Sequence, residues 1–137
     1  MFDVVVCTQV FEHFPDPHQA AREMHRVLKP EGALLMSVAA CAPRFVDGER
    51  WRYLPGGIRA VLSPFNKVAI VPETSSIGGL VRTLNVGMHN FAHFRLLRKS
   101  FELTICPCLN LIGLALEKMK LTANDQFTPN YSVFAMK

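Results

Sequence analysis

The chain has 137 residues, 50% of them hydrophobic and 19% charged. That is the length of one domain with enough apolar side chains for a core, which excludes an intrinsically disordered chain. Fifteen Lys and Arg against 11 Asp and Glu leave a net charge of +4. This balance is mild and scattered, so it does not make a nucleic-acid interface; the one small basic cluster is Arg95, Arg98 and Lys99.

No stretch of 18 residues is apolar without charges and breakers, so no membrane-spanning helix is expected. The N-terminus, Met1-Phe2-Asp3-Val4-Val5-Val6, has neither the basic start nor the cleavage site of a signal peptide, which points to the cytoplasm. In that compartment Cys7, Cys41, Cys106 and Cys108 are free thiols rather than disulfides. Cys106-Pro107-Cys108 has one residue between its thiols and no second pair, so no metal site is expected there.

Phe2 to Cys7 reads as a strand that is apolar on both faces, the pattern of a parallel strand buried between two helix layers. A charged residue at Val4 or Val6 would then harm the core. Asp16 is a helix N-cap, Pro17 suits the first helical position, and Gln19 completes the capping spacing. The helix runs to about Leu28, with Ala20, Ala21, Met24, Val27 and Leu28 on its apolar stripe and Arg22, Glu23 and Arg26 outside. Lys29 to Gly32 reads as a turn, and Ala33 to Ala40 as a second apolar strand. Strand, helix and strand in this order make a parallel βαβ unit.

Ala42 to Gly57 is a long polar and aromatic loop. Gly57 to Leu62 is a short helix ending near Pro64, and Lys67 to Val71 is a third strand. A helix capped by Ser75 or Ser76 runs to about Lys99. Its wheel puts Ile77, Leu80, Leu84, Met88, Phe91 and Phe94 on one side, read as core, and Arg82, Asn85, His89 and His93 on the other. His89 and His93 stand four apart, a spacing that could present two imidazoles to one metal; a solvated polar face is the favoured reading. Phe101 to Cys106 reads as extended or helical, Leu109 to Met119 as helical, and Tyr131 to Met136 as a closing strand.

Ligands of open α/β sheets bind beyond the carboxyl ends of the strands, which makes Thr8, Gln9, Glu12 and His13 site candidates. The segment Val10-Phe11-Glu12-His13-Phe14-Pro15-Asp16-Pro17, followed by Arg26-Val27-Leu28-Lys29-Pro30, resembles the middle of a class I S-adenosylmethionine-dependent methyltransferase of the broad type 11 group. Glu31 stands where that family usually carries Gly. Trp51-Arg52-Tyr53-Leu54-Pro55-Gly56-Gly57 resembles a later stretch of the group, with Leu54 in place of Thr, and Tyr131 to Lys137 resembles its closing strand.

The resemblance implies an incomplete doubly wound, Rossmann-like α/β sheet: the C-terminal portion of the domain with a helical insertion. Residues 1–72 would form the core strands and helices, 73–120 the insertion, and 121–137 the closing strand. It implies S-adenosylmethionine as cofactor, with Thr8 and Gln9 beside its methionine part, and a small-molecule methyl acceptor facing Trp51, Arg52 and Tyr53. His13 is either a base at the substrate mouth or a hydrogen bonder that closes the loop. Arg52 is either a substrate contact or a loop-anchoring ion pair. The family's Gly-rich turn has no counterpart, since no two glycines here are separated by a single residue. The chain therefore reads as lacking the cofactor-gripping half, with Phe2–Cys7 an open edge for a second chain or for self-association. A non-enzymatic remnant or interaction subunit is the alternative. A membrane surface is a further candidate partner, on the strength of Leu109 to Leu116 and the slight basic excess.

Overall fold

In a computed structural model, the described residues are 1–44, 46–91, 94–119 and 124–137. Their elements run β1 (Phe2–Thr8), a 3-10 turn (Phe11–His13), α1 (Pro17–Val27), β2 (Leu28–Ala39), α2 (Pro55–Val61), β3 (Lys67–Pro72), α3 (Ser76–Phe91), α4 (Arg95–Ser100), a π-helical turn (Phe101–Ile105), α5 (Cys106–Lys118) and β4 (Asn130–Met136). They divide into two compact units. One comprises Met1–Ala40, Arg44–Glu73 and Asn130–Lys137; the other comprises Cys41–Pro43 and Thr74–Pro129.

The first unit is a four-stranded sheet in the order β1-β2-β4-β3. β1 and β2 are parallel, joined through α1, whereas β4 runs antiparallel to both β2 and β3. α1 forms where its caps require. The Asp16 carboxylate accepts the Gln19 N–H at 2.9 Å, Pro17 opens the first turn, and His25 and Arg26 sit in the last. Pro17 and Ala21 are buried and Ala20 and Met24 pack beside them, as the apolar stripe predicts.

Register fixes which residues share a face of the sheet. Cys7, Met36, Val133 and Ile70 lie in one row across the four strands. They join Phe11, Ala21, Ile58, Val61 and Leu62 in the core under the 3-10 turn, α1 and α2. The next row, Val6, Leu35, Phe134 and Ala69, points the other way. There Val6 is 64% exposed, Leu35 43% and Phe134 41%. The expectation that β1 and β2 are buried on both faces is thus corrected. One face carries helices and the other is open, because none of the described helices of this unit packs on it.

The turn expected at Lys29 to Gly32 is instead part of β2. The chain bulges between the Phe2–Leu28 and Val4–Ala33 pairs. Glu31 takes a left-handed backbone (φ 63°), and a Cβ on Gly32 would stand 2.8 Å from the Lys29 carbonyl oxygen. Lys29 Nζ reaches Asp3 at 2.8 Å across the bulge, and this bridge holds the Asp3 carboxyl below its usual range.

The second unit is helical. The expected single helix to Lys99 is two elements, α3 and α4; Ala92 and His93 lie outside the described residues. Phe101 to Cys106 is helical, not extended. α4, the π turn and α5 make one continuous helix, Arg95–Lys118, of 24 residues. Its mean hydropathy reaches 1.3 over an 18-residue window, so it is long and apolar enough to cross a membrane, which corrects the expectation that no such segment exists. A proline such as Pro107 breaks a helix in its interior. Here it sits at the start of α5, where its lost N–H falls in the widened π turn.

Ser75 caps α3, its hydroxyl accepting the Gly78 N–H at 3.3 Å. The side of α3 expected as core faces out, with Leu80 49% and Leu84 45% exposed. Toward α5 it turns Gly78, Val81 and Asn85: a Cβ on Gly113 of α5 would stand 3.0 Å from Val81, and Asn85 Nδ2 donates to Asn110 Oδ1 at 2.8 Å.

Candidate functional site

The carboxyl end of β1 delivers Thr8 and Gln9 to the surface, both exposed. Gln9 leaves the strand in a left-handed conformation (φ 52°). Its N–H donates to the Ser37 carbonyl at 3.0 Å and its Nε2 to the Ser37 hydroxyl at 3.2 Å, so the ends of two parallel strands are locked side by side. This is the edge of an α/β sheet at which ligands bind.

The chain then drops into the 3-10 turn. Phe11 is buried and packs on Phe14 and Tyr53, at ring separations of 5.7 and 5.4 Å. Over the turn lies the segment 50–53, sewn down by main-chain bonds. The Glu12 carbonyl accepts the N–H of Arg50 at 2.9 Å and of Trp51 at 3.3 Å, and the Tyr53 N–H donates to Ala39 at 3.0 Å. Trp51 Nε1 donates to the Phe14 carbonyl at 2.8 Å. The Arg52 guanidinium pairs with the almost buried Glu49 carboxylate and also donates to the Trp51 carbonyl. Arg52 therefore anchors this loop.

The site residues expected from sequence separate into three places. Thr8 and Gln9 sit together at the strand end. His13 is half-buried at the end of the 3-10 turn, and a Cβ on Gly48 would lie 3.7 Å from its Nδ1. Trp51 keeps 42% of its surface exposed, while Tyr53 lies in the core at 5%.

Beneath the loop, two of the candidates, Glu12 and Tyr53, turn inward, which the sequence did not foresee. Glu12 is 4% exposed, and its Oε2 and the Tyr53 hydroxyl are buried with no hydrogen-bond partner. Burial first, and then the nearby Glu12 carboxylate, push the Tyr53 phenol up to about 12 and the Cys7 thiol up to about 11. The sequence signal was a glutamate inside an apolar run, Val10-Phe11-Glu12-His13-Phe14, which in a packed turn has nowhere to go but inward. His89 Nε2 stands 3.3 Å from Glu102, and the described residues hold no cluster of metal-ligating side chains. His93 lies outside them.

The family model for the methyltransferase domain matches residues 1–36, which are β1, the 3-10 turn, α1 and most of β2. Those residues are similar to part of a class I methyltransferase domain. Over 43 residues, 31% of this chain, the sequence is 42% identical to the ubiquinone biosynthesis O-methyltransferases of Pseudomonas aeruginosa and Pseudomonas syringae pv. tomato. The matched stretch spans 18% of those relatives.

Solved structures carry the same methyltransferase fold. Haemonchus contortus phosphoethanolamine N-methyltransferase 2, in complex with S-adenosyl-L-methionine, superposes with a TM-score of 0.52 at 14% identity, over 98% of this chain and 33% of its own. A SAM-dependent methyltransferase from Archaeoglobus fulgidus gives 0.53 at 13%, over 99% and 59%. The chain thus spans about a third to three-fifths of the methyltransferases it resembles in fold.

Proposed function

We propose that this chain forms the acceptor-side part of an S-adenosylmethionine-dependent methyltransferase acting on a hydroxyl of a small molecule. The observation that carries the reading is the pairing of Gln9 with Ser37, which presents Thr8 and Gln9 at the carboxyl end of a parallel strand pair within the methyltransferase-like segment. The hydroxyl acceptor rests on the names of the matched relatives.

The residues present fit one side of the cofactor. Thr8 and Gln9 offer an exposed hydroxyl and amide to its polar methionine end, and the unpartnered Glu12 Oε2 and Tyr53 hydroxyl are groups that a bound polar ligand would satisfy. The bound cofactor would supply an electrophilic methyl on its sulfonium sulfur. Trp51 would wall the acceptor from water, positioned by its bond to Phe14, and His13 would take the acceptor's proton. Arg52 would act through the loop it anchors, not on the acceptor.

The remaining grip on the cofactor is proposed to come from a Gly-rich half that covers the open sheet face and pairs along β1. Phe2, Val4 and Val6 are 60, 49 and 64% exposed there, a surface suited to burial under helices. The same surface supports the second reading, an interaction subunit without catalysis.

The test is calorimetry with S-adenosylmethionine on the chain alone and co-expressed with the Gly-rich half of a related methyltransferase. Micromolar binding in the reconstituted sample, weakened at least tenfold by Gln9→Ala, supports the enzyme reading. A stable complex that binds no cofactor at millimolar concentration rejects it in favour of the interaction subunit.

A further inference from the structure

The helical unit is built inside out for water. Where α3 meets α5, the contacts are glycine and amide: Gly113 admits Val81, Asn85 bonds Asn110, and Glu117 accepts the hydroxyls of Thr74 (2.9 Å) and Ser75 (2.6 Å). Meanwhile Leu96, Leu97, Leu103, Leu111, Ile112 and Leu114 are 55 to 81% exposed. Leu96, Leu103, Leu111 and Leu114 recur at helical spacing along one continuous 24-residue helix, of whose most apolar window only 11% is buried. Small and polar residues between helices with aliphatic ones outside is the pattern of helices packed in lipid, where the outward side chains lose nothing by exposure. In water, exposing this many leucines forgoes the hydrophobic stabilisation that burying them would give.

Charge selects the occupant of this surface. Arg95, Arg98 and Lys99 cluster at the N-terminal end of the same helix, all exposed, and line a concavity with Leu96 and Glu102. Cations flanking an aliphatic helix match the anionic headgroups above an acyl layer, each adding to the attraction.

We propose that the helical unit docks on an anionic lipid bilayer, its exposed leucines entering the acyl boundary and Arg95, Arg98 and Lys99 meeting the headgroups. The proposal does not depend on the methyl-transfer reading, because no residue of the candidate site takes part.

The test is flotation of the full chain with vesicles of phosphatidylcholine alone or with about one-third phosphatidylglycerol. Binding to the anionic vesicles at least tenfold above the neutral ones, reduced by high salt, is the expected result. Arg98→Glu with Lys99→Glu should remove that preference, and Leu103→Asp should abolish flotation while circular dichroism stays unchanged. A monomeric wild-type chain that floats with neither vesicle overturns the proposal. So does a discrete dimer that does not float and that Leu103→Asp dissociates, which would assign the surface to a second copy. The wild-type result decides even if a variant misfolds.

Discussion

The indole Nε1 of Trp51 donates to the main-chain carbonyl of Phe14 at 2.8 Å, tying the long loop to the turn that follows β1. Trp51→Phe keeps the ring and deletes the donor. The freed carbonyl can turn to water, so the cost is the ordinary net value of about 1 kcal/mol, felt as local opening of the loop. Trypsin should then cut after Arg50 or Arg52 about fivefold faster, with little change in global melting. Unchanged cleavage would mean that the Glu12 carbonyl and the Arg52–Glu49 pair hold the loop alone.

Glu31 occupies the left-handed position of the β2 bulge at φ 63°, followed by a glycine that has no room for a Cβ. A Cβ at such a φ is strained, and glycine is not. Glu31→Gly should therefore stabilise the chain by about 0.5–1 kcal/mol, after allowing for glycine's extra freedom when unfolded. Gly32→Ala should destabilise it, because its Cβ would meet the Lys29 carbonyl. Denaturant midpoints at constant slope would measure both. Loss of stability in Glu31→Gly would contradict the strain.

Some local features were legible in the sequence for a physical reason. Caps and strand ends depend on a few adjacent residues, so Asp16 and Pro17 can be read directly. The bulge at Glu31 instead reads as a turn, because its form depends on the pairing with β1, and Glu31 stands out only against the family that the chain resembles. Thr8 and Gln9 followed from the rule that strand ends carry sites. The inward turn of Glu12 and Tyr53 was not legible, because burial of a side chain in a loop depends on what folds over it. In α3 the periodicity correctly grouped Leu80, Leu84 and Met88, but period alone carries no sign. Gly78 and Gly113 decided which side approached its neighbour, since only small residues let two helices come that close.

The polar group under the loop predicts an alkaline limb of stability. Cys7 and Tyr53 are held neutral, with folded values near 11 and 12 against ordinary values of 9.0 and 10.0. Between each pair of values the unfolded chain has lost the proton and the folded chain has kept it. Stability is therefore intact below about pH 9 and falls above it, by at most about 1.4 kcal/mol per pH unit for each group. Tyr53→Phe removes a buried hydroxyl with no partner, so it should be neutral or stabilising at pH 7 and should flatten the limb above pH 10. Urea titrations from pH 7 to 11 would show this, and a limb unchanged in Tyr53→Phe would place its origin elsewhere.

Val6 tests the open face of the sheet. If β1 were buried on both sides, Val6→Lys would put a charge in the core and cost several kcal/mol. At 64% exposure it should cost the isolated chain no more than about 0.5 kcal/mol, within the range of surface substitutions. The same lysine would oppose any layer packed over Leu35 and Phe134, its neighbours in that row. Val6→Lys should thus leave the melting of the chain alone nearly unchanged while blocking assembly with a covering Gly-rich half. Cys7→Lys, one residue on and turned into the core beside Met36, should unfold the chain in either setting. A large loss in Val6→Lys alone would show that something in this chain already covers that face.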